Sequence, residues 1–131
     1  MQNTFDLAVI QDSMEESAQL TVLHPKTGEE TSIVITLASP DSDKYRKLSM
    51  AMRNKNLQYA TKNRGVASAE RLDEDAVNLL VGATLAWAGV VENGIAVDCT
   101  PENVRRLYTT FPWLREQVDT FLGDRKNFFN S

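Results

Sequence analysis

The sequence predicts an α+β fold: a β-hairpin over about residues 18–37, followed by a mainly helical bundle of about four helices. Three observations carry this. Apolar residues alternate at period two through Leu20 and Val22, then through Ile33, Ile35 and Leu37. From residue 43 onward the apolar spacing changes to that of helices. Helix-start signals recur at Ser39-Pro40-Asp41-Ser42-Asp43, Asp73-Glu74-Asp75 and Thr100-Pro101-Glu102.

Residues 1–17 are polar with isolated apolar positions (Phe5, Leu7, Val9, Ile10), which reads as a loose arm or a short edge element. The hairpin turn is Pro25-Lys26-Thr27-Gly28-Glu29-Glu30, where Pro fixes φ and Gly permits φ > 0. A lone hairpin is marginal in water, so it must pack on helices or pair with further strands.

The first long helix is expected from Asp43 to about Lys62. Tyr45, Leu48, Met52 and Tyr59 fall on one stripe, and Gly65 stands where a C-terminal cap belongs. Met50 and Leu57 lie off that stripe and suggest a second contact surface. Another helix is expected from Asp73 to about Ala88. Ala76, Leu79, Leu80, Ala83 and Trp87 share one face, while Val77, Val81, Thr84 and Leu85 cover much of the rest. A helix apolar nearly all round belongs at the centre of a core, and Gly89 closes it.

Asn93-Gly94 is a tight-turn signal between the short flanks Val90-Val91 and Ile95-Ala96-Val97. Thr100 as N-cap and Pro101 at the first helical position open a short helix to about Tyr108. Phe111-Pro112-Trp113 breaks it, because a residue before proline avoids the α region. The last helix is expected from Pro112 to about Phe128. Leu114, Val118, Phe121, Leu122, Phe128 and Phe129 lie on one side, and Arg115, Glu116, Asp119 and Lys126 lie opposite. No repeat, low-complexity tract or linker divides residues 1–131, so one domain is expected.

Composition narrows the function classes. With 14 basic and 18 acidic residues the formal charge is −4, which disfavours nucleic acid as the main partner. The basic residues concentrate in the 41–64 segment between two acidic stretches. Lys44, Lys47, Lys55 and Lys62 group on one side of that helix and Arg46, Arg53 and Arg64 on another, unlike the single charged face of a nucleic-acid reader. No apolar run approaches a membrane span, and Met1-Gln2-Asn3-Thr4-Phe5-Asp6 has no signal-peptide character. A single cysteine, Cys99, cannot form an internal disulfide, and a cytoplasmic location is expected.

Reactive side chains are few. His24 is the one histidine and follows a strand beside Pro25, which suits a turn residue better than a general base. Cys99 has no histidine nearby in sequence and reads as a small semi-buried side chain before a helix. Glu15-Glu16 and Asp73-Glu74-Asp75 could ligate a metal, but acids at a helix start are explained by the helix dipole. Neither Gly-x-Gly-x-x-Gly nor Gly-Lys-Ser/Thr occurs, so no phosphate loop is read. The expectation is a non-enzymatic protein without cofactor or metal. Aromatic residues concentrate late, and Trp113, Phe128 and Phe129, with Phe111 and Arg115 beside Trp113, are the candidate protein-interaction residues.

Five pieces occur in order: Asp41-Ser42-Asp43-Lys44-Tyr45-Arg46, Leu85-Ala86-Trp87-Ala88-Gly89, Cys99-Thr100-Pro101-Glu102-Asn103-Val104, Phe111-Pro112-Trp113-Leu114-Arg115-Glu116-Gln117-Val118 and Asp124-Arg125-Lys126-Asn127-Phe128-Phe129. The set resembles the tail assembly chaperones of long-tailed bacteriophages and prophages over about residues 40–130. That resemblance implies a non-enzymatic partner of the tape measure protein, which such chaperones keep soluble until tail-tube subunits polymerise around it. It also implies self-association, a possible tail tube contact, action in the host cytoplasm and absence from the mature virion. It supplies no catalytic residue. Alternatives are a structural head–tail connector or tail-terminator component, a small nucleic-acid-binding prophage regulator, and a small enzyme without a recognisable motif.

Overall fold

The computed structural model describes residues 6–62 and 69–129, of which residues 59–62, 69 and 71 are described by backbone only. Gly65 and Arg64, and the side chains of Tyr59 and Lys62, therefore lie outside the described residues. The α+β class holds: a small antiparallel sheet is followed and covered by helices. The elements are α1 (Leu7–Asp12), β1 (Ser17–Leu23), β2 (Glu30–Ala38), α2 (Asp43–Lys62), α3 (Ala69–Ala83), β3 (Thr84–Ala88), β4 (Val91–Glu92), β5 (Ile95–Ala96), α4 (Pro101–Thr110) and α5 (Pro112–Leu122). A 3-10 turn follows at Arg125–Phe128.

Residues 7–12 form a helix where a loose arm or edge element was expected. Asp6 caps it by accepting the Ala8 N–H at 2.9 Å. The helix buries no residue, and Leu7 and Val9 are exposed. Just after it, Met14 bridges Phe129 in antiparallel fashion, and the Glu15 N–H donates to the Phe128 carbonyl.

The expected hairpin is present, with Leu20 opposite Ile35 and Ala18 opposite Leu37. Alternation places Val22, Ile35 and Leu37 fully inside. A bulge between Thr21 and Leu23 re-aims the end of β1. The hairpin's marginal stability is resolved by a third strand: sheet order is β1-β2-β3, with Ile35 opposite Trp87 and Val34 opposite Ala88.

That third strand corrects the helix expected over 73–88. The helix runs over Ala69–Ala83, so it starts earlier and stops earlier. Asp73-Glu74-Asp75 consequently lies in its second turn and not at its start. Residues 84–88 read as helix because the apolar pattern continues unbroken, yet β2 has a second edge whose N–H and C=O groups need partners. Thr84 marks the change. Its hydroxyl donates to the Leu80 carbonyl at 2.8 Å and contacts the Tyr108 hydroxyl at 2.7 Å. Gly89, at φ 76°, then passes so close to β2 that its carbonyl accepts the Ser32 hydroxyl.

Asn93 (φ 50°) and Gly94 (φ 80°) make the expected tight turn, and the Trp87 indole N–H donates to the Val97 carbonyl at 2.8 Å to tie this small ribbon to β3. Thr100 caps α4 by accepting the Asn103 N–H, and α4 extends two residues beyond Tyr108. Val104, Leu107 and Tyr108 are its buried face. In α5, Leu114, Val118 and Leu122 are buried.

The last helix is shorter than expected. It ends at Leu122, Gly123 caps it, and Asp124 opens the 3-10 turn by accepting the Lys126 N–H. The reversal carries Phe128 back onto Phe121, ring centroids 5.4 Å apart and edge to face. Phe128 is 1% exposed. Burying such a ring contributes roughly 2–3 kcal/mol. One buried cluster joins the sheet to α3, α4, α5 and Phe128. Helix α2 packs on α3, where Leu48 sits against Gly82, and its half-buried Tyr45 lies against that cluster.

Candidate functional site

Helix α5 lies alongside the outer edge of β1, and one residue stitches them. The Gln117 amide accepts the Leu23 N–H at 2.8 Å and donates to the Leu23 carbonyl at 2.8 Å. Beside this clamp runs an open groove of about 550 Å³. Leu20, Thr21 and Leu23 of β1, with Pro25 of the turn, form one wall. Trp113, Glu116, Thr120 and Phe121 of α5 form the other. Asp124 and Asn127 close one end, where the Asn127 amide donates to the Phe121 carbonyl at 3.1 Å.

The lining combines five apolar side chains with two carboxylates: the exposed Glu116, and Asp124, which is paired with Lys126 at 3.4 Å. This suits a partner that presents apolar anchors beside cationic groups. The outward backbone groups of β1 lie along the same edge, and only those of Leu23 are closed by a side chain among the described residues.

The five expected interaction residues separate. Trp113 is half-buried on the groove wall, its ring edge to face with half-buried Phe111 at 6.2 Å and 62°. Phe111 stands at the junction of α4 and α5. Arg115 instead donates to Asp73 at 2.9 Å and ties α5 to α3. Phe128 is a core residue, which corrects its expected place at a partner surface: the break at Gly123-Asp124 turns it inward. Phe129 is half-buried and pairs through its backbone with Met14.

Leu20, Leu23, Pro25 and Gln117 were not among the interaction residues expected from the sequence. The usable signal was Leu23, an apolar residue directly after Val22 that breaks the alternation and so lands on the open side of an edge strand.

The reactive side chains stand elsewhere. His24 is a turn residue whose Nδ1 accepts the Lys26 N–H at 3.1 Å. Burial pushes the Cys99 thiol up, while a backbone N–H from Trp87 acts in the opposite direction. Burial pushes the Tyr108 phenol up to about 12. Among the described residues, no three His, Cys, Asp or Glu side chains converge. A smaller cavity of about 340 Å³ lies where α2, α3 and α5 meet; burial, then the Asp119 charge, raise the Tyr45 phenol beside it. There Arg125 donates to Asp41 at 2.8 Å, fastening the start of α2 to the end of α5. No helix among the described residues is long and apolar enough to cross a membrane.

No protein-family model matches this chain, and neither the curated proteins nor the solved structures contain a significant match to it.

Proposed function

We propose that this chain is a non-enzymatic phage tail assembly chaperone that holds an amphipathic segment of the tape measure protein in the groove between β1 and α5. The groove is the observation that carries this reading. Its apolar walls, half-buried tryptophan and exposed Leu23 form a surface suited to a helix presenting anchors one and two turns apart. The exposed carboxylate of Glu116 favours anchors flanked by Lys or Arg. The formal charge of −4 adds repulsion between loaded complexes and keeps them dispersed.

Co-expression with a phage tape measure protein tests the proposal. The expected result is a soluble, co-purifying pair, with recovery falling roughly tenfold for Trp113→Ala combined with Leu23→Ser. A tape measure protein that stays insoluble, or a pair that survives both substitutions unchanged, rejects it. Recovery of this chain from purified virions would point to a connector or tail-terminator role, and salt-sensitive DNA binding to the regulator.

A further inference from the structure

The outer edge of β1 is closed at its two ends and open between them. Ser17 lies opposite Ala38, and the Ser39 N–H donates to the Glu16 carbonyl, so Glu16, Ala18 and Leu20 turn their peptide groups towards β2. The residues between them turn theirs away. At one end the Glu15 N–H donates to the Phe128 carbonyl, and at the other Gln117 clamps Leu23. Among the described residues, no side-chain or loop hydrogen bond reaches the outward N–H and C=O of Gln19 or Thr21. Both pairs face the side on which α5 stands. Helix α5 runs antiparallel to β1, and the position one turn after Gln117 is Phe121, a groove-wall residue with no polar side-chain atom to offer Thr21.

Gln117 shows what closes such a pair. Its carboxamide holds an acceptor and a donor side by side, and it meets the Leu23 N–H and C=O together, at 2.8 Å each. Lys and Arg only donate, and a carboxylate only accepts. A purely apolar client seated between β1 and α5 would strip water from the Gln19 and Thr21 peptide groups and return no hydrogen bond, which is costly. The spacing matches a helix. Thr21 and Gln19 are two residues apart, about 6.6 Å along a strand. Helix positions i and i+4 are about 6 Å apart and share one face. We infer that the groove selects an amphipathic helix carrying two carboxamide side chains, Gln or Asn, four residues apart beside its apolar anchors. These close the outward peptide groups of Thr21 and Gln19 as Gln117 closes those of Leu23. The inference rests on the groove being a helix-docking surface, as in the proposed function, and names side chains that its client must carry.

Synthetic peptides titrated into the full-length protein test this. The first has about 18 residues, enough to hold a helix in water, with Leu anchors, flanking Lys residues and a Gln pair at i and i+4. One control carries Leu at both Gln positions. A second keeps both Gln but sets them at i and i+2, on different faces of the helix. Every change is in the peptide, so the fold of the protein is untouched. Fluorescence anisotropy should show the i, i+4 Gln pair binding roughly tenfold tighter than either control. Amide exchange at Gln19 and Thr21 should slow when that peptide is bound. A Leu-pair peptide that binds as tightly overturns the inference and leaves the proposed function standing. So does tight binding of the Gln pair while Gln19 and Thr21 exchange as they do in the free protein. If none of the peptides binds, the groove is not a helix-docking surface and both readings fall.

Discussion

Gln117 on α5 and Leu23 at the end of β1 form a two-bond clamp. One side-chain amide satisfies both the N–H and the C=O of one strand residue, each at 2.8 Å. The amide thus stands where a further strand's peptide group would stand. It closes the end of an edge that would otherwise invite pairing with other chains, and it fixes how far α5 stands from β1, hence the width of the groove.

Gln117→Ala removes both bonds at a position where water can partly replace them. The expected cost is about 1–2 kcal/mol in chemical denaturation. The Leu23 amide should also exchange with solvent faster, while amides in the middle of β2 keep their protection. Gln117→Glu is the sharper probe: it keeps an acceptor for the Leu23 N–H but sets a carboxylate against the Leu23 carbonyl. It should cost as much as the alanine change. Protection at Leu23 unaltered in both variants would show that the clamp does not hold the edge.

Thr84 and Tyr108 control the change from α3 to β3. The single hydroxyl proton of Thr84 is committed to the Leu80 carbonyl, so the Tyr108 hydroxyl donates to Thr84. Thr84→Val preserves shape but strands a buried phenol donor and frees the Leu80 carbonyl, at an expected cost of about 2–3 kcal/mol. Tyr108→Phe removes only the donor and should cost about 1 kcal/mol. The double variant should be less destabilised than the sum of the two, since the stranded phenol is gone. Strict additivity, read from denaturant midpoints, would mean the pair is not coupled.

The same switch marks the limit of what the sequence reveals. The β1–β2 hairpin, the start of α2, the Asn93-Gly94 turn and the Thr100-Pro101 start of α4 are written in residues next to one another, and each is found where expected. Strand β3 is not local: Thr84–Ala88 carries apolar residues that suit a buried helix equally well, and its state is decided by hydrogen bonds to β2 far earlier in the chain. The groove was half legible. Trp113 was visible as one of the late aromatic residues, whereas Leu20 and Pro25 become neighbours of α5 only through tertiary packing. Phe128 misled because its spacing continues the stripe of α5, while Gly123 and the cap made by Asp124 had already ended the helix.

Tyr108 also sets an alkaline limit. Burial raises its phenol from 10.0 to about 12. Between those values the unfolded chain has released the proton and the folded chain keeps it, so the unfolded state binds fewer protons and stability falls as pH rises. Below pH 10 the contribution is fully present; across the window it is lost, by up to about 2–3 kcal/mol. Denaturation midpoints measured from pH 9 to 12 should therefore decline more steeply for the parent chain than for Tyr108→Phe. Tyrosinate absorbance should show one late-titrating group that vanishes in that variant. Parallel stability profiles would exclude Tyr108 as the cause of the decline.

Phe128 and Trp113, both aromatic and both near the C-terminus, are predicted to fail in different ways. Phe128 is buried against Phe121, so Phe128→Ala opens a cavity where α5, β1 and the 3-10 turn meet and should cost about 3–5 kcal/mol. Such a loss is a large part of the total stability of a domain this size, and binding measured on that variant would report unfolding. Trp113 keeps one face open to the groove and touches Phe111 at its edge, so Trp113→Ala should cost only about 1–2 kcal/mol. It removes the largest apolar wall of the groove, so it should weaken binding of an amphipathic basic helix by tenfold or more while the thermal transition stays cooperative. Titration of each variant with a fluorescent amphipathic basic peptide, beside a thermal melt of each, separates the two outcomes. Trp113→Ala binding as tightly as the parent, or melting as early as Phe128→Ala, would remove the groove from consideration as a docking surface.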